Sequence, residues 1–154
     1  MLALLSLGVK AANEDSKQPI DIKAYTVVID EKKGLSVYTG DAQVRQGSLE
    51  LSAENIQVFS NNKAVNKVLA KGTKNKRAYY KQNQPNQPRF IEATAINITY
   101  LIEKEFVHLR GKAHLVQGFD SFSGATLDYD IKNDKVIAEK SEDGSERVRF
   151  KIKL

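Results

Sequence analysis

Two histidines, His108 and His114, are the only imidazoles in this chain of 154 residues. Their spacing of six would place both side chains on one face of a continuous strand, where imidazoles can bind a metal ion. However, Gly111 interrupts the run, no carboxylate stands at ligand spacing, and the chain has no cysteine. We therefore predict that the protein has no metal site.

Other catalytic patterns are also missing from the sequence. The serines do not form a nucleophile elbow, and Gly47 and Gly118 are interpreted as turn glycines, not as parts of a phosphate-binding loop. Asp128 and Asp130 lie on an alternating strand, where they are interpreted as its solvated face. We predict that the protein is not an enzyme and needs no cofactor.

Charge is distributed unevenly along the chain. Between Asn55 and Glu92 there is no acidic residue, and Tyr79 and Tyr80 lie among the bases. The eight basic residues of this segment are Lys63, Lys67, Lys71, Lys74, Lys76, Arg77, Lys81 and Arg89. Basic residues mixed with aromatic ones are typical of grooves for single-stranded nucleic acid. A phosphorylated glycolipid would suit the segment equally, and a plain solvated surface is the third interpretation.

The N-terminal residues have the pattern of a targeting signal. Residues Leu2 to Val9 are apolar but too few to span a bilayer, and small residues flank Lys10 as a signal peptidase prefers. We predict that residues 1–11 are the remainder of a signal peptide cleaved near Ala11, and that residues 12–154 form one domain. The alternative is that the apolar segment is the first strand.

One stretch of the sequence occurs twice. Tyr38–Val58 aligns without a gap on Leu109–Tyr129 at an offset of 71 residues, and Gly40 aligns with Gly111. The runs AYTVVI and ATAINI give a weaker echo. This pattern predicts about four units of roughly 30 to 40 residues, each too small to close a core alone. We expect one elongated stack of β-hairpins.

The sequence predicts that the chain consists of β-strands. Apolar and polar residues alternate through much of the chain, and no segment has helical periodicity. Charged or glycine-containing turns are predicted at 30–34, 60–63, 103–105 and 132–135, with a longer loop at 81–89. An all-β sandwich, barrel or jellyroll follows.

The C-terminal run RVRFKIKL predicts a strand with two different faces. Its basic residues, at 147, 149, 151 and 153, alternate with apolar residues at 148, 150, 152 and 154. Lysines on an edge strand usually discourage further pairing. The functional alternative is a docking edge that accepts a strand from a partner.

Four motifs, in this order and spacing, resemble a known family. They are QPIDIKA at Gln18–Ala24, TGDAQVRQGSLELSA at Thr39–Ala53, ATAINITY at Ala93–Tyr100 and EFVHLRGKAHL at Glu105–Leu115. Together they resemble the LptA, or OstA-like, family of periplasmic proteins that transport lipopolysaccharide (LPS) in Gram-negative bacteria. The resemblance covers about residues 18 to 154.

The resemblance implies an open, twisted β-jellyroll of stacked antiparallel hairpin units with an apolar interior. The acyl chains of lipid A would slide inside it while the sugars project outward, on a protein bridge from the inner to the outer membrane. The implied partners are LPS, LptC in the inner membrane, the N-terminal domain of LptD in the outer membrane, and further copies joined head to tail. Nucleic acid is not an expected partner.

Several residues are expected to contact the lipid. The resemblance places Ile20, Ile22, Ile29, Tyr79 and Ile98 in the interior. Strand alternation adds further apolar candidates, for which an ordinary core is the alternative: Val44, Leu51, Ile56, Val58, Leu115, Phe122, Leu127 and Tyr129. Lys74, Lys76 and Arg77 are candidate contacts for lipid phosphates or sugars.

Two other functions stay open at this point. An LptC-like or other LPS-assembly component would share the fold, and an LptC-like one would keep a membrane anchor. A basic nucleic-acid-binding β-protein is the alternative from another class, and a cytoplasmic location of the full-length protein would favour it.

Overall fold

The computed structural model describes residues 14–62, 64–84, 87–141, 143–144 and 147–153. The predicted signal segment 1–11 lies outside these residues. The described chain forms one 3₁₀ turn, Glu14–Lys17, and twelve strands. The strands are β1 Asp21–Lys23, β2 Thr26–Asp30, β3 Leu35–Gln46, β4 Leu49–Asn61, β5 Ala64–Lys71, β6 Ala78–Asn83, β7 Phe90–Ala95, β8 Asn97–Leu101, β9 Phe106–Gln117, β10 Asp120–Asp130, β11 Lys135–Glu139 and β12 Arg149–Lys151.

All strand pairs are antiparallel, and the twelve strands form one continuous sheet that bends over into two layers, which we call the first and the second sheet. The first sheet has the order β2-β3-β4-β5-β8-β9-β10-β11. The second has the order β1-β3-β4-β6-β7-β9-β10-β12. Strands β3, β4, β9 and β10 belong to both because each continues from one sheet into the other. Across the described residues, no helix has the length and apolar character that a membrane span needs.

The long strands change sheet at sharp bends. In β3 the bend lies at Gly40 and Asp41, with φ of 88° and 41°, and in β9 at Gly111 and Lys112, with φ of 84° and 46°. Glycine adopts positive φ without the strain that other residues incur. The bends close one side of the sandwich. On the opposite side only turns and strand ends face each other, and we call this open side the seam.

The chain consists of two six-strand units. Strands β1–β6 and β7–β12 have the same order and pairing, and β2 begins at Thr26 while β8 begins 71 residues later at Asn97. The predicted offset therefore extends beyond the repeated stretch, but the prediction of four units is wrong. The weakly similar runs AYTVVI and ATAINI lie where β1 leads into β2 and where β7 leads into β8. Each run is therefore part of one of the two larger units and not a separate unit.

The two units join edge to edge inside the chain. β5 pairs with β8 in the first sheet, and β6 pairs with β7 in the second. The outer strands lack such neighbours among the described residues: β1 and β2 pair with β3, whereas β11 and β12 pair with β10. The predicted strand at 147–154 is shorter than expected, because only Arg149–Lys151 pairs with β10.

The space between the sheets is apolar and closely packed. Leu51, Ile56 and Leu127 have no exposed surface. Tyr80 from the second sheet lies across from Tyr100 of the first, with 6.4 Å between ring centroids. Such burial stabilises the sandwich by about 25 cal/mol per Å² of apolar surface. A single continuous core thus runs through both units.

Candidate functional site: an apolar interior with a lateral seam

An apolar cavity of about 220 Å³ lies between the sheets in the first unit. Ile20, Ile22 and Val44 line it from the second sheet and the chain before it, and Tyr38 and Val58 line it from the first. Tyr100 and Ile102 of the second unit close its inner end. Because both sheets contribute to the lining, the cavity would widen if the sheets moved apart.

Most predicted interior residues face this interior. Leu51, Ile56, Ile98, Leu115, Leu127 and Tyr129 are buried, and Phe122 packs on them. Ile29 lies on the inner face of β2, since it pairs with Ser36 beside the cavity, but it is 63% exposed because β2 is an edge strand. Tyr38 and Tyr100 also line the cavity but were not among the predicted lipid contacts, although Tyr100 alternates with Ile98 in the sequence.

Tyr79 is the exception, and its predicted interior position is wrong. Leu51 of β4 pairs with Tyr80, and Ser52 pairs with Tyr79. Paired residues share a face of the sheet, so Tyr80 points inward with Leu51 while Tyr79 points outward. Partial burial and the neighbouring Glu92 raise the pKa of Tyr79 to about 12.

The interior also contains buried polar groups. Tyr80 Oη donates to Gln82 Oε1 at 2.6 Å, and Gln82 Nε2 donates to Asp15 Oδ2 at 3.0 Å. Burial raises the pKa of Tyr80 well above its ordinary value, so its hydroxyl keeps the proton that it donates. Asp15 in turn accepts hydrogen bonds from the backbone amide and hydroxyl of Ser48, at 2.7 and 2.6 Å. This chain of bonds ties the N-terminal 3₁₀ turn to the seam edge of the second sheet.

The histidines lie on the outer faces of different sheets. His108 Nδ1 is 2.8 Å from Asp128 Oδ1, and Arg110 Nη1 donates to the same oxygen at 2.7 Å. His114 lies beyond the bend and contacts Ser123 Oγ at 2.7 Å. In the described part of the chain, no three potential ligands are grouped to hold a metal ion.

Asp128 is therefore not the freely solvated residue that we expected. Burial alone would raise the pKa of this carboxyl group, but the hydrogen bonds and charges of Arg110 and His108 outweigh it and lower the pKa. The contact could not be predicted from local spacing, because Arg110 and His108 precede Asp128 by 18 and 20 residues. Cross-strand pairing of Asp128 with His108 brings the groups together.

The three candidate phosphate contacts lie on the closed side of the sandwich, away from the seam. Lys76 forms an ion pair with Asp41, whose hydrogen bond and charge raise the pKa of Lys76. Arg77 Nη1 donates to the carbonyl oxygen of Lys112 at 3.1 Å. Both residues thus fasten the connection after β5 to the bends of β3 and β9. A phosphate contact at Lys74, Lys76 and Arg77 stays a prediction.

Two bent sheets that enclose an apolar cavity and face each other across a seam define an open β-jellyroll with an interior suited to hydrocarbon. A family model described as "LptA/(LptD N-terminal domain) LPS transport protein" matches residues 21–135. The chain belongs to this family, and the predicted fold class is confirmed.

Individual relatives agree with this assignment. Lipopolysaccharide export system protein LptH of Pseudomonas aeruginosa is 31% identical over 88% of this chain and 77% of its own length. Lipopolysaccharide export system protein LptA of Escherichia coli (strain K12) is 26% identical over 89% of this chain and 73% of its own. The crystal structure of LptH, described as the LptA-homologous periplasmic component of the lipopolysaccharide transport device of P. aeruginosa, superposes with a TM-score of 0.81. It is 27% identical and covers 91% of this chain and 99% of that one.

Proposed function

We propose that the protein is a periplasmic LPS-binding protein that carries LPS from the inner to the outer membrane as part of a protein bridge. The observation that carries this proposal is the apolar cavity between the two sheets. Each methylene group exposed to water costs about 0.8 kcal/mol, so a lipid with several acyl chains needs an apolar path between membranes. The relatives, which are LPS export proteins, support the same function.

The cavity also sets a condition on binding. Pockets for small ligands usually measure roughly 300–1,000 Å³, whereas this cavity measures about 220 Å³. A lipid with several chains therefore requires the sheets to separate along the seam. The sugars and phosphates would stay outside, since the lining from Ile22, Tyr38 and Val58 offers them few partners.

Photo-crosslinking tests the proposal directly. A photoreactive amino acid at Ile22 or Tyr38, in the cavity, should capture purified LPS. The same group at Tyr79, on the outer face of β6, or at Lys132, in an exposed turn, should not. Equal capture at inner and outer positions would contradict an interior binding site.

We further propose that copies of the chain join head to tail by repeating the junction between the two units. In the second sheet the pairing of Leu51 with Tyr80 corresponds to that of Phe122 with Phe150. In the first sheet the run KVLAK at 67–71 corresponds to KVIAE at 135–139, because each pairs in the same way with β4 or β10. The edge of β11 and β12 is thus built like the edge that already pairs inside the chain.

Transferring the internal register predicts which residues meet between copies. Within the chain, Val68 lies opposite Tyr100, so Val136 of one copy would lie opposite Ile29 of the next. In the same way, Ala70 lies opposite Ile98, so Ala138 would lie opposite Val27. Phe150 would lie opposite Ile22, as Tyr80 lies opposite Ala93. Val27, Ile29 and Phe150 are 48%, 63% and 63% exposed in the single chain, so this contact would bury apolar surface at both ends.

Charges fit the same register with one exception. Lys81 lies 3.9 Å from Glu92 across the internal junction, and the transferred register sets Lys151 opposite Asp21. In the first sheet it sets Lys135 opposite Asp30. Arg149 would meet Lys23, a like-charged pair that exposed side chains can relieve by turning into solvent. The two favourable pairs outnumber this one.

The same two edges are the proposed contacts with the membrane partners. We propose that the β1 and β2 edge binds inner-membrane LptC and that the β11 and β12 edge binds the N-terminal domain of outer-membrane LptD. The matched family model combines LptA with that LptD domain, which supports a shared fold with compatible edges. A strand added to such an edge satisfies its unpaired N–H and C=O groups.

A further inference from the structure

One carboxylate spans the seam in the second unit. Asp134 lies in the turn between β10 and β11, at the seam edge of the first sheet. Its Oδ1 accepts hydrogen bonds from Gln84 Nε2 at 2.9 Å and from Gln117 Nε2 at 2.8 Å. Tyr129 Oη donates to the same oxygen at 3.1 Å.

The two glutamine donors come from the opposite sheet, whereas Tyr129 belongs to the first sheet with Asp134. Gln84 follows β6 and Gln117 ends β9, and both of these strand ends belong to the seam edge of the second sheet. Gln87 Nε2 donates to Asp134 Oδ2 at 3.1 Å, and Arg89 Nη2 lies 3.7 Å from that oxygen. A single side chain of the first sheet is thus bonded to several groups of the second.

These bonds are partly buried: the donors lie inside the protein, whereas the side chain of Asp134 is 36% exposed. Gln84 is 4% exposed, Gln117 is 8% exposed and Tyr129 is 1% exposed. Hydrogen bonds to a charged acceptor are stronger than neutral ones. Burial raises the pKa of Tyr129 to about 12, which keeps its hydroxyl available as a donor.

Two further contacts join the polar groups at the seam to one another. Gln84 Nε2 also lies 3.1 Å from Tyr129 Oη, and Arg89 Nε donates to Gln84 Oε1. Polar side chains therefore fill the seam edge of the second unit, and acyl chains could not enter through this edge without displacing them.

We propose that the Asp134 cluster is a latch that holds the seam of the second unit shut, and that lipid occupies this unit only when the latch opens. The latch consists of Asp134, Gln84, Gln117 and Tyr129. This inference rests on the proposed lipid-binding function. According to this proposal, acyl chains enter the first unit freely. They pass through the second unit to the next protein of the bridge only when the latch is open.

Crosslinking at two positions tests the latch. A photoreactive phenylalanine derivative replaces Phe122, which packs on the core of the second unit, and the cavity position Ile22 serves as the reference. Asp134→Asn removes the charge but keeps a residue type that tolerates the left-handed backbone at this position, where φ is 49°. With purified LPS, we expect capture at position 122 to rise at least about threefold in this variant, while capture at position 22 is unchanged.

Two further variants control for indirect effects. Gln117→Leu removes one bond across the seam and should raise capture at position 122 in the same direction. Asp15→Asn is the matched control, because Asp15 also accepts three hydrogen bonds. Its partners Ser48 and Gln82 both belong to the second sheet, so these bonds do not cross the seam. Capture at position 122 should therefore not change. Circular dichroism and melting curves establish that each variant folds.

The outcomes separate the latch from the proposed function. No capture of LPS at position 22 in the unmodified protein would overturn the function and the latch together. Capture at position 22 with no increase at position 122 in folded Asp134→Asn and Gln117→Leu would overturn the latch alone. An equal increase in Asp15→Asn would also overturn it, since any loosening of the seam edge would then suffice.

Discussion

Gly40 and Gly111 occupy equivalent bends, with φ of 88° and 84°, and each faces the side chain of the residue that precedes the equivalent strand of its unit, β2 or β8. Tyr25 covers Gly40, and Ile96 covers Gly111. The backbone amides of Tyr25 and Ile96 bond to carbonyl groups of the bends, at 3.1 Å to Thr39 and 2.9 Å to Gly111. Both copies of the repeat therefore need a glycine at the bend, because a side chain there would collide with Tyr25 or Ile96.

The first prediction concerns this requirement. A Cβ atom at Gly111 would lie 2.9 Å from Ile96 Cδ1, in addition to the strain of a positive φ. We expect Gly111→Ala to lower the free energy of unfolding by about 2–3 kcal/mol. Gly144→Ala is the matched control, because Gly144 has a φ of 71° and open space around its Cα. It should cost only about 1 kcal/mol, and equal losses in urea denaturation would contradict the steric explanation.

The second prediction is a pH dependence of stability. Arg110 and His108 hold the pKa of Asp128 below its ordinary value of 3.8, so the charged carboxylate favours the folded state. This contribution is present above pH 3.8 and is lost as the pH falls through the lower pKa of the folded protein. Asp128→Asn should therefore destabilise the protein at pH 7, by about 1 kcal/mol. The difference from the unmodified protein should shrink in acid.

Denaturation curves over a range of pH check this prediction. Arg110→Gln provides the control, because removing the stronger of the two partners should weaken the pH dependence that Asp128 causes. A difference between Asp128→Asn and the unmodified protein that stays constant from neutral to acid pH would show that the charge of Asp128 contributes nothing to stability.

The third prediction tests the junction between copies. Lys135→Glu or Asp30→Lys alone would set like charges against each other in the transferred register, whereas the double variant would restore an opposite pair. Each single change should weaken self-association roughly fivefold, about 1 kcal/mol, and the double variant should recover it. Sedimentation velocity over a range of concentrations measures the effect.

Deletion of residues 148–154 is the stronger form of the same experiment, because it removes β12. It should abolish long oligomers while leaving the rest of the jellyroll folded. If the deletion variant builds oligomers as long as the unmodified protein, the C-terminal strand is a protected edge and the proposed junction is wrong.

The fourth prediction concerns the basic cluster on the closed side. Lys76 and Arg77 already bind Asp41 and the Lys112 carbonyl, so Lys74 is the residue that best tests a phosphate contact. Lys74→Gln should weaken LPS binding roughly twofold, and added salt should have the same effect, since exposed charges are screened beyond about 8 Å. Lys132→Gln is the control. Unchanged affinity in both tests would leave the cluster with a structural role.

Much of the fold follows from residue spacing. The 71-residue repeat and the turns at 30–34 and 103–105 correspond to bends and turns of the structure because glycine and charged residues mark positions where the backbone must turn. Alternation alone could not choose between Tyr79 and Tyr80. Both are aromatic, and only the pairing of Tyr80 with Leu51 determines which one faces inward.

The polar features of the interior could not be predicted from the sequence. Asp134 lies 50 residues from Gln84 and 17 from Gln117, and none of the three stands in a recognisable motif. The contact exists because the two sheets bring their strand ends together at the seam. Such a contact depends on tertiary packing, so local patterns carry no signal for it.

The unpaired edges described above have a consequence for amide hydrogen exchange. In a two-unit stack, the inner strands β5 and β8 have neighbours on both sides, while β2 and β11 have one each among the described residues. Edge strands open at lower free energy than inner strands, so their amides should exchange first. Because a second copy would cover these edges by mass action, their protection should rise with protein concentration while that of β5 and β8 stays constant.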